Sequence, residues 1–202
     1  MSPITHFLAS WSLADVTGLR GRDQTLVTWC GVLPDADGFG ILVDGFNKVL
    51  GRPESWYYGQ FHHAVLHGLF AAIAIPLALV FLATRRLRMF LVGVVTVHLH
   101  FVCDIVGSRG PGTDDVWPLP YLAPFSDRLM IQWSGQWPLN GWPNIAFTIA
   151  LLAFVFYRTV NGGYSPVGFF SARADRVFVE AVQSRWRMLR RHAPSVSGGG
   201  DR

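Results

Sequence analysis

Apolar residues are gathered along this chain into three long segments, which are bounded by charged or Gly- and Pro-rich stretches. The segments cover residues 68–84, 89–107 and 142–157. Each approaches the roughly 20 residues that a helix needs to cross a hydrocarbon layer about 30 Å thick. The first has no charged or amide side chain, whereas a helix of a soluble protein normally keeps a polar face. The pattern predicts three transmembrane helices, and buried helices of a soluble all-α protein are the alternative.

A short basic connection joins the first two segments. Arg85, Arg86 and Arg88 occupy this connection, and Arg158 follows the third segment. So short a connection predicts an antiparallel hairpin, and basic residues beside membrane helices favour the cytoplasmic side. We therefore expect a multi-pass protein of the inner (plasma) membrane with a cytoplasmic C-terminal tail.

The remaining regions differ in character from these segments. Residues 108–141 are rich in Gly, Pro and Trp and predict a long irregular loop. In the tail, apolar residues recur on a basic background and predict an amphipathic helix at the membrane surface, followed by a disordered end. The predicted fold is an all-α, integral membrane helical bundle. We expect a membrane-embedded metal-binding domain over 1–162 and a basic amphipathic tail over 163–202.

Composition and charge agree with this assignment. Half of the 202 residues are hydrophobic, 15% are charged, and the net charge is +4. Because the arginines lie at the ends of apolar segments and in the tail, they favour an anionic membrane surface over nucleic acid. The expected partners are the lipid bilayer and a small-molecule or lipid substrate, while a protein partner is left open. Cys30 and Cys103 are too far apart in sequence to suggest a CxxC zinc site.

The second apolar segment contains the strongest chemical pattern, His100-x-x-x-Asp104. Residues four apart share one face of a helix and can bind one cation together. The alternative is a hydrogen bond between the two side chains within a packed core. An Asp within an apolar segment is costly unless a partner or an ion neutralises it, which favours the metal site. His98 points to another face, so we expect either a structural role or a role in supporting the metal ligands.

A second cluster of histidines, His62, His63 and His67, precedes the first segment. In an antiparallel hairpin the start of the first helix lies beside the end of the second, which brings this cluster level with His100 and Asp104. His63 and His67 have the four-residue spacing, and His62 joins them if the helix begins after it. Whether His62 or His63 binds the metal is left open.

The N-terminal part of the chain adds three weaker candidates. Asp35 and Asp37 lie in the turn-like sequence LPDADGFG, and His6 lies near the start. Each is unremarkable alone, since Asp is common in turns. Together with the two histidine clusters they predict a site for one or two divalent ions, with zinc favoured by the His and Asp ligands.

These residues resemble the motifs of the YdjM-type membrane-bound metal-dependent hydrolases, also called LexA-binding inner-membrane proteins. Four stretches match in order: Thr5-His6, Pro34-Asp35-Ala36-Asp37, His62-His63-Ala64-Val65-Leu66-His67, and His100 with Asp104 followed by Gly107-Ser108-Arg109-Gly110. The third stretch keeps the outer histidines of the usual motif and lacks its Arg, Gly and Thr. The resemblance implies a metal-dependent hydrolase of the inner membrane.

A more distant likeness links the chain to zinc-dependent phospholipase C. That likeness implies one ion among Asp35, His67, His100 and Asp104, and a second ion shared by His6 and Asp104. With His62 added from the second histidine cluster, the predicted metal ligands are His6, Asp35, His62, His67, His100 and Asp104.

Two further residues are assigned catalytic roles as hypotheses. Asp37 orients the attacking water, and Arg109 contacts an anionic group of the substrate. The expected activity is hydrolysis of a phosphoester or lipid-type ester through metal-activated water. The alternatives are a non-catalytic membrane protein with a structural metal site and a metal or proton transporter.

Overall fold

The computed structural model describes residues 1–53, 57 and 66–192. The chain divides into two compact units, Met1–Leu152 and Ala153–Arg202. The protein is 69% helical with almost no strand in its described part. This confirms the predicted all-α class.

The first two helices are separated by a tight turn. Helix α1 spans Pro3–Val16, and the Ser2 hydroxyl caps it by accepting a hydrogen bond from the backbone N–H of Thr5 at 3.2 Å. Proline at the first helical position removes no hydrogen bond, because a backbone N–H at that position would have no acceptor within the helix. The turn contains Gly18 at φ +72°, a conformation that glycine adopts without strain.

A long helical run follows, built from three consecutive pieces. Helix α2 spans Gly21–Val32, a 3-10 turn spans Leu33–Phe39, and helix α3 spans Gly40–Val49. Pro34 has no N–H to donate and therefore interrupts the α-helical hydrogen bonding at the turn. Asp35 and Asp37 both lie in this 3-10 turn, between the two α-helices of the run.

The central hairpin consists of helix α4 over Leu69–Leu79, a 3-10 turn over Val80–Leu82, and helix α5 over Arg86–Gly107. Asp23 of α2 fixes the connection, because its carboxylate accepts hydrogen bonds from the backbone N–H groups of Thr84 at 2.7 Å and Arg85 at 2.9 Å.

Helices α1, α2 and α5 meet in a close contact. A Cβ atom added to Gly31 would lie 1.8 Å from Oγ of Ser10 and 2.8 Å from Cγ2 of Thr96. Only a glycine allows the three helices to approach this closely. The buried side chains around the contact include Val27, Cys30 and Val97.

The C-terminal half begins with the predicted loop, which is irregular apart from one antiparallel pair of two-residue strands. These are β1, Leu119–Pro120, and β2, Met130–Ile131. Helix α6 spans Trp142–Gly162, a 3-10 turn spans Pro166–Phe169, and helix α7 spans Ala172–His192. Helix α7 is the predicted amphipathic helix, with Val177, Phe178 and Leu189 exposed.

Three helical stretches of the described chain are long and apolar enough to span a membrane: Gly21–Val49, Arg86–Gly107 and Trp142–Gly162. The predicted number of three is confirmed, but one member differs. Segment 68–84 forms an eleven-residue helix and a three-residue 3-10 turn, which is shorter than the roughly 20 residues required. The run of 29 residues at Gly21–Val49 takes its place.

Candidate metal centre

Four side chains from three helical stretches converge on one point in the first unit. His6 comes from α1, Asp35 from the 3-10 turn, and His100 and Asp104 from α5. Each offers one ligand atom, and these atoms all lie within 4.8 Å of one another. His6, His100 and Asp104 are buried and Asp35 is partly buried. The fold thus brings together four of the predicted ligands, although His6 and Asp104 are 98 positions apart in the sequence.

The hydrogen bonds of His100 fix which of its ring nitrogens faces this cluster. Nδ1 lies 2.9 Å from the carbonyl oxygen of Gly31 and donates its hydrogen to it. Nε2 then carries a lone pair, and it lies 3.0 Å from Oδ2 of Asp104 and 3.6 Å from Oδ1 of Asp35. Metal-binding histidines are typically held in this way, by donation from the other nitrogen to a carbonyl or carboxylate.

His67, just before α4, also contacts the cluster. Its Nδ1 lies 3.0 Å from Oδ2 of Asp37, and its Nε2 lies 3.1 Å from Nε2 of His100 and 3.5 Å from Oδ2 of Asp104. If both histidines donate from Nδ1, two lone pairs and a carboxylate oxygen face one another. Such an arrangement is repulsive unless a proton or a cation lies among them.

The pKa of His67 reflects this need for positive charge. Burial alone would lower it, but the hydrogen bonds and negative charges of Asp104 and Asp37 overcome burial and raise the pKa to about 9. A divalent ion would take over the role of this proton, because metal binding to histidine releases the proton.

His6 completes the cluster from α1. Its Nε2 lies 3.0 Å from Oδ1 of Asp104, and its ring stacks on that of His100 with centroids 3.8 Å apart. Burial and the neighbouring charge of His100 lower the pKa of His6, which favours the neutral form that binds metals. The amino group of Met1 and the hydroxyl of Ser108 also contact Oδ1 of Asp104.

The chemistry of these donors fits a divalent cation. Within the part of the chain that the structure describes, Oδ2 of Asp35 and Oδ2 of Asp104 are both buried without a hydrogen-bond partner. A buried carboxylate oxygen without a partner is costly, and a cation removes that cost. Imidazole nitrogens with carboxylate oxygens are the ligands of zinc and related transition metals. The cluster can therefore hold a metal ion.

Two buried amides hold the end of α5 in place. Gln136 donates from Nε2 to the carbonyl oxygens of Asp104 and Ile105, both at 3.1 Å, and of Trp117 at 3.2 Å. Its Oε1 accepts from the backbone N–H of Trp117 at 3.0 Å. Asn144 of α6 donates to the carbonyl oxygen of Gly107 at 2.8 Å. Sequence reasoning missed both residues, because a bond to a backbone carbonyl leaves no motif.

The remaining predicted site residues are not among the four side chains that converge in the cluster. Asp37 is paired with His67, as described above. Arg109 follows the end of α5, where its backbone N–H donates to the carbonyl oxygen of Trp137. Its side-chain Nε is buried and has no hydrogen-bond partner among residues 1–53, 57 and 66–192. His98 bonds to Val94 and to the hydroxyl of Tyr121, which agrees with a structural role. His62 and His63 lie outside the described residues.

A cavity of about 480 Å³ adjoins the cluster. Asp35 and Asp104 belong to both the cluster and the cavity wall. The rest of the wall is mainly apolar. Met1, Ser2 and Pro3 line it at the start of the chain, and its large apolar side chains from the 3-10 turn, α3 and the loop are Phe39, Ile41, Leu42, Trp117 and Leu139. Small molecules bind in concave sites of this volume, which place a few polar groups among apolar ones.

The sequence profile of the YdjM inner membrane proteins matches residues 1–184. The chain belongs to the YdjM inner membrane protein family. The match extends through the whole cluster and the cavity, and it confirms the resemblance identified from the motifs. None of the curated proteins or solved structures compared with the chain matches it. The likeness to zinc-dependent phospholipase C is therefore not shown.

Proposed function

We propose that this YdjM family member is a membrane-bound, metal-dependent hydrolase that acts on a phosphoester or a lipid-type ester. One observation carries the proposal: the buried His and Asp cluster shares Asp35 and Asp104 with a cavity of about 480 Å³. Structural metal sites are usually closed by their protein ligands, whereas catalytic sites keep a position open to substrate. The cavity provides this access.

The proposed ligands are His6, Asp35, His100 and Asp104, with His67 as a fifth donor. Three neutral imidazoles and two carboxylates balance the charge of one divalent ion. His62 stays a predicted ligand. Zinc is the proposed metal because His and Asp ligands of this kind suit it.

Bound at these residues, the metal supplies Lewis acidity, which lowers the pKa of a water molecule and stabilises negative charge on the ester oxygens. In the hydrolysis, an oxygen of water bonds to the carbonyl carbon or phosphorus, the ester bond breaks, and the alcohol leaves with a proton.

The protein residues prepare this reaction. Gly31 and Asp37 hold the rings of His100 and His67, so that each presents Nε2 to the cluster. This position of Asp37 favours a role in orienting His67 over the predicted role in orienting water. Arg109, at the end of α5, stays the predicted contact for an anionic group.

The membrane setting supports a substrate taken from lipid. The chain belongs to an inner membrane family and has three candidate spans in its described part. We further propose that the turn containing Arg85 and Arg86, like the tail, faces the cytoplasm, since basic residues concentrate there. Asp104 is 18 residues further along α5 than Arg86, so the cluster would lie roughly 27 Å away along the helix axis, toward the opposite membrane face.

The experiment compares hydrolysis by wild-type protein, His100→Gln and His98→Gln, each in lipid nanodiscs. The two variants change the same residue type two positions apart on α5, and only His100 belongs to the cluster. We expect chelator-sensitive hydrolysis of p-nitrophenyl esters or phosphodiesters by wild type and His98→Gln, with a loss of at least 100-fold in His100→Gln. Stoichiometric metal with no chelator-sensitive hydrolysis would instead support the structural alternative.

A further inference from the structure

The cavity beside the cluster has walls of two chemical kinds. Asp35, Asp104 and Ser108 contribute polar atoms where the cavity meets the cluster. The apolar wall described above makes up most of the remainder. Such a cavity suits a ligand that joins a polar group to an apolar one, because each part then meets a wall of its own kind.

The apolar wall continues to the protein surface. Phe39 and Leu42 each expose 65% of their area and Ile41 exposes 57%. All three belong to the Gly21–Val49 stretch, which is a candidate membrane span. Apolar side chains exposed along a membrane-spanning stretch face lipid rather than water. A ligand would therefore enter this cavity from the bilayer.

The apolar wall of the cavity is long enough for an extended alkyl chain. Seven residues separate Asp35 from Leu42 along the helical run, which corresponds to roughly 10–14 Å at the rise of 3-10 and α helices. The apolar wall thus extends about this far from the cluster. An alkyl chain can lie along it while the group at its end reaches the carboxylates.

We propose that this cavity binds the alkyl chain of a single-chain amphiphile drawn from the bilayer, and that the ester or phosphoester end of the amphiphile lies at Asp35 and Asp104. The nature of the linkage rests on the function proposed above. The chain-binding role rests on the cavity and its lipid-facing rim.

Binding can be measured without hydrolysis by using zinc-loaded protein and a dodecylphosphonate that carries bromine at the end of its chain, because the cation offsets the repulsion between the phosphonate and the two carboxylates. Its carbon–phosphorus bond is not an ester, and bromine quenches nearby tryptophan fluorescence. Trp117 lines the cavity, so the difference in fluorescence between wild type and Trp117→Phe in nanodiscs isolates its signal. We expect this signal to be quenched saturably by the probe.

Two leucines of the same loop provide a matched comparison. Leu139 lines the cavity and exposes 47% of its area, while Leu129 exposes 44% and lies outside the cavity wall. Leu139→Asn should weaken saturable quenching about ten-fold, because apolar contact with the chain is lost, and Leu129→Asn should leave it unchanged. Leu42→Asn, at the exposed rim, gives a second variant with little risk to folding.

The outcomes separate this proposal from the proposed function. Quenching of Trp117 that never saturates, or that is equal in the Leu139 and Leu129 variants, overturns chain binding even if chelator-sensitive hydrolysis is found. Saturable quenching that weakens in Leu139→Asn and Leu42→Asn supports chain binding even if no ester is hydrolysed.

Discussion

Replacing Gln136 with leucine is expected to destabilise the protein, although the two side chains are similar in size. Gln136 is only 1% exposed, and its amide joins the carbonyl oxygens of Asp104 and Ile105 to the backbone of Trp117. Leucine fills the same space but cannot make these hydrogen bonds, although the carbonyl oxygen of Asp104 still accepts from the backbone N–H of Ser108. The last turn of α5, which carries Asp104, then loses one of its attachments to the loop, while the bond from the backbone N–H of Trp137 to the carbonyl oxygen of Val106 remains.

The magnitude follows from the bonds that are lost. The two amide hydrogens and the oxygen of Gln136 support three full hydrogen bonds, and each costs about 1 kcal/mol when its partner is left buried. The free energy of unfolding should therefore fall by about 3 kcal/mol. For a chain of 202 residues this corresponds to a decrease of roughly 6–12 °C in the unfolding midpoint.

The assay is thermal unfolding in nanodiscs, followed by tryptophan fluorescence. Gln132→Leu is the matched control, because Gln132 lies in the same loop and is exposed, so its replacement should change the stability by less than about 0.5 kcal/mol. If Gln136→Leu unfolds at the same temperature as this control, the amide does not hold the end of α5 as described.

Three further substitutions test the packing and the cluster. Gly31→Ala should destabilise the contact of three helices by roughly 3 kcal/mol, and adding Ser10→Ala should restore part of this loss; equal stability of all three proteins would refute the close approach. Asp37→Asn should weaken zinc binding about 10- to 100-fold by releasing the ring of His67, as measured by competition with a chelating dye, and an unchanged affinity would show that this pairing does not support the site. Asp23→Ala should cost about 2 kcal/mol by removing the charged acceptor at the hairpin connection, and a midpoint within 1 °C of wild type would contradict that role.

Much of the helical framework could be predicted, because it depends on hydropathy. Residues 89–107 and 142–157 are continuous apolar segments, and both lie within observed helices. The Gly21–Val49 run was missed because Asp23, Asp35 and Asp37 interrupt its apolar pattern. Asp23 and Asp37 are accommodated by specific hydrogen-bond partners and Asp35 by the metal cluster, which only the three-dimensional packing reveals.

The sequence predicted which His and Asp residues come together in the candidate site, but not the contacts that hold them in place. Spacing on a helix placed His100 beside Asp104, and the hairpin placed His67 next to them. The support from Gly31 and Gln136 was not predictable, because it involves a backbone carbonyl of one helix and an amide from a distant loop. Such contacts depend on how elements pack, and neither residue type signals them in a sequence.

The central claim is that His6, Asp35, His100 and Asp104 bind a metal ion. The most direct test is the metal content of protein purified with supplied zinc, combined with X-ray absorption at the zinc edge. We expect one or two ions per chain with nitrogen and oxygen ligands at about 2.0–2.2 Å, lost in Asp104→Asn and kept in Asp114→Asn, which changes an exposed loop residue. Wild-type protein with no more bound metal than Asp104→Asn would contradict the claim.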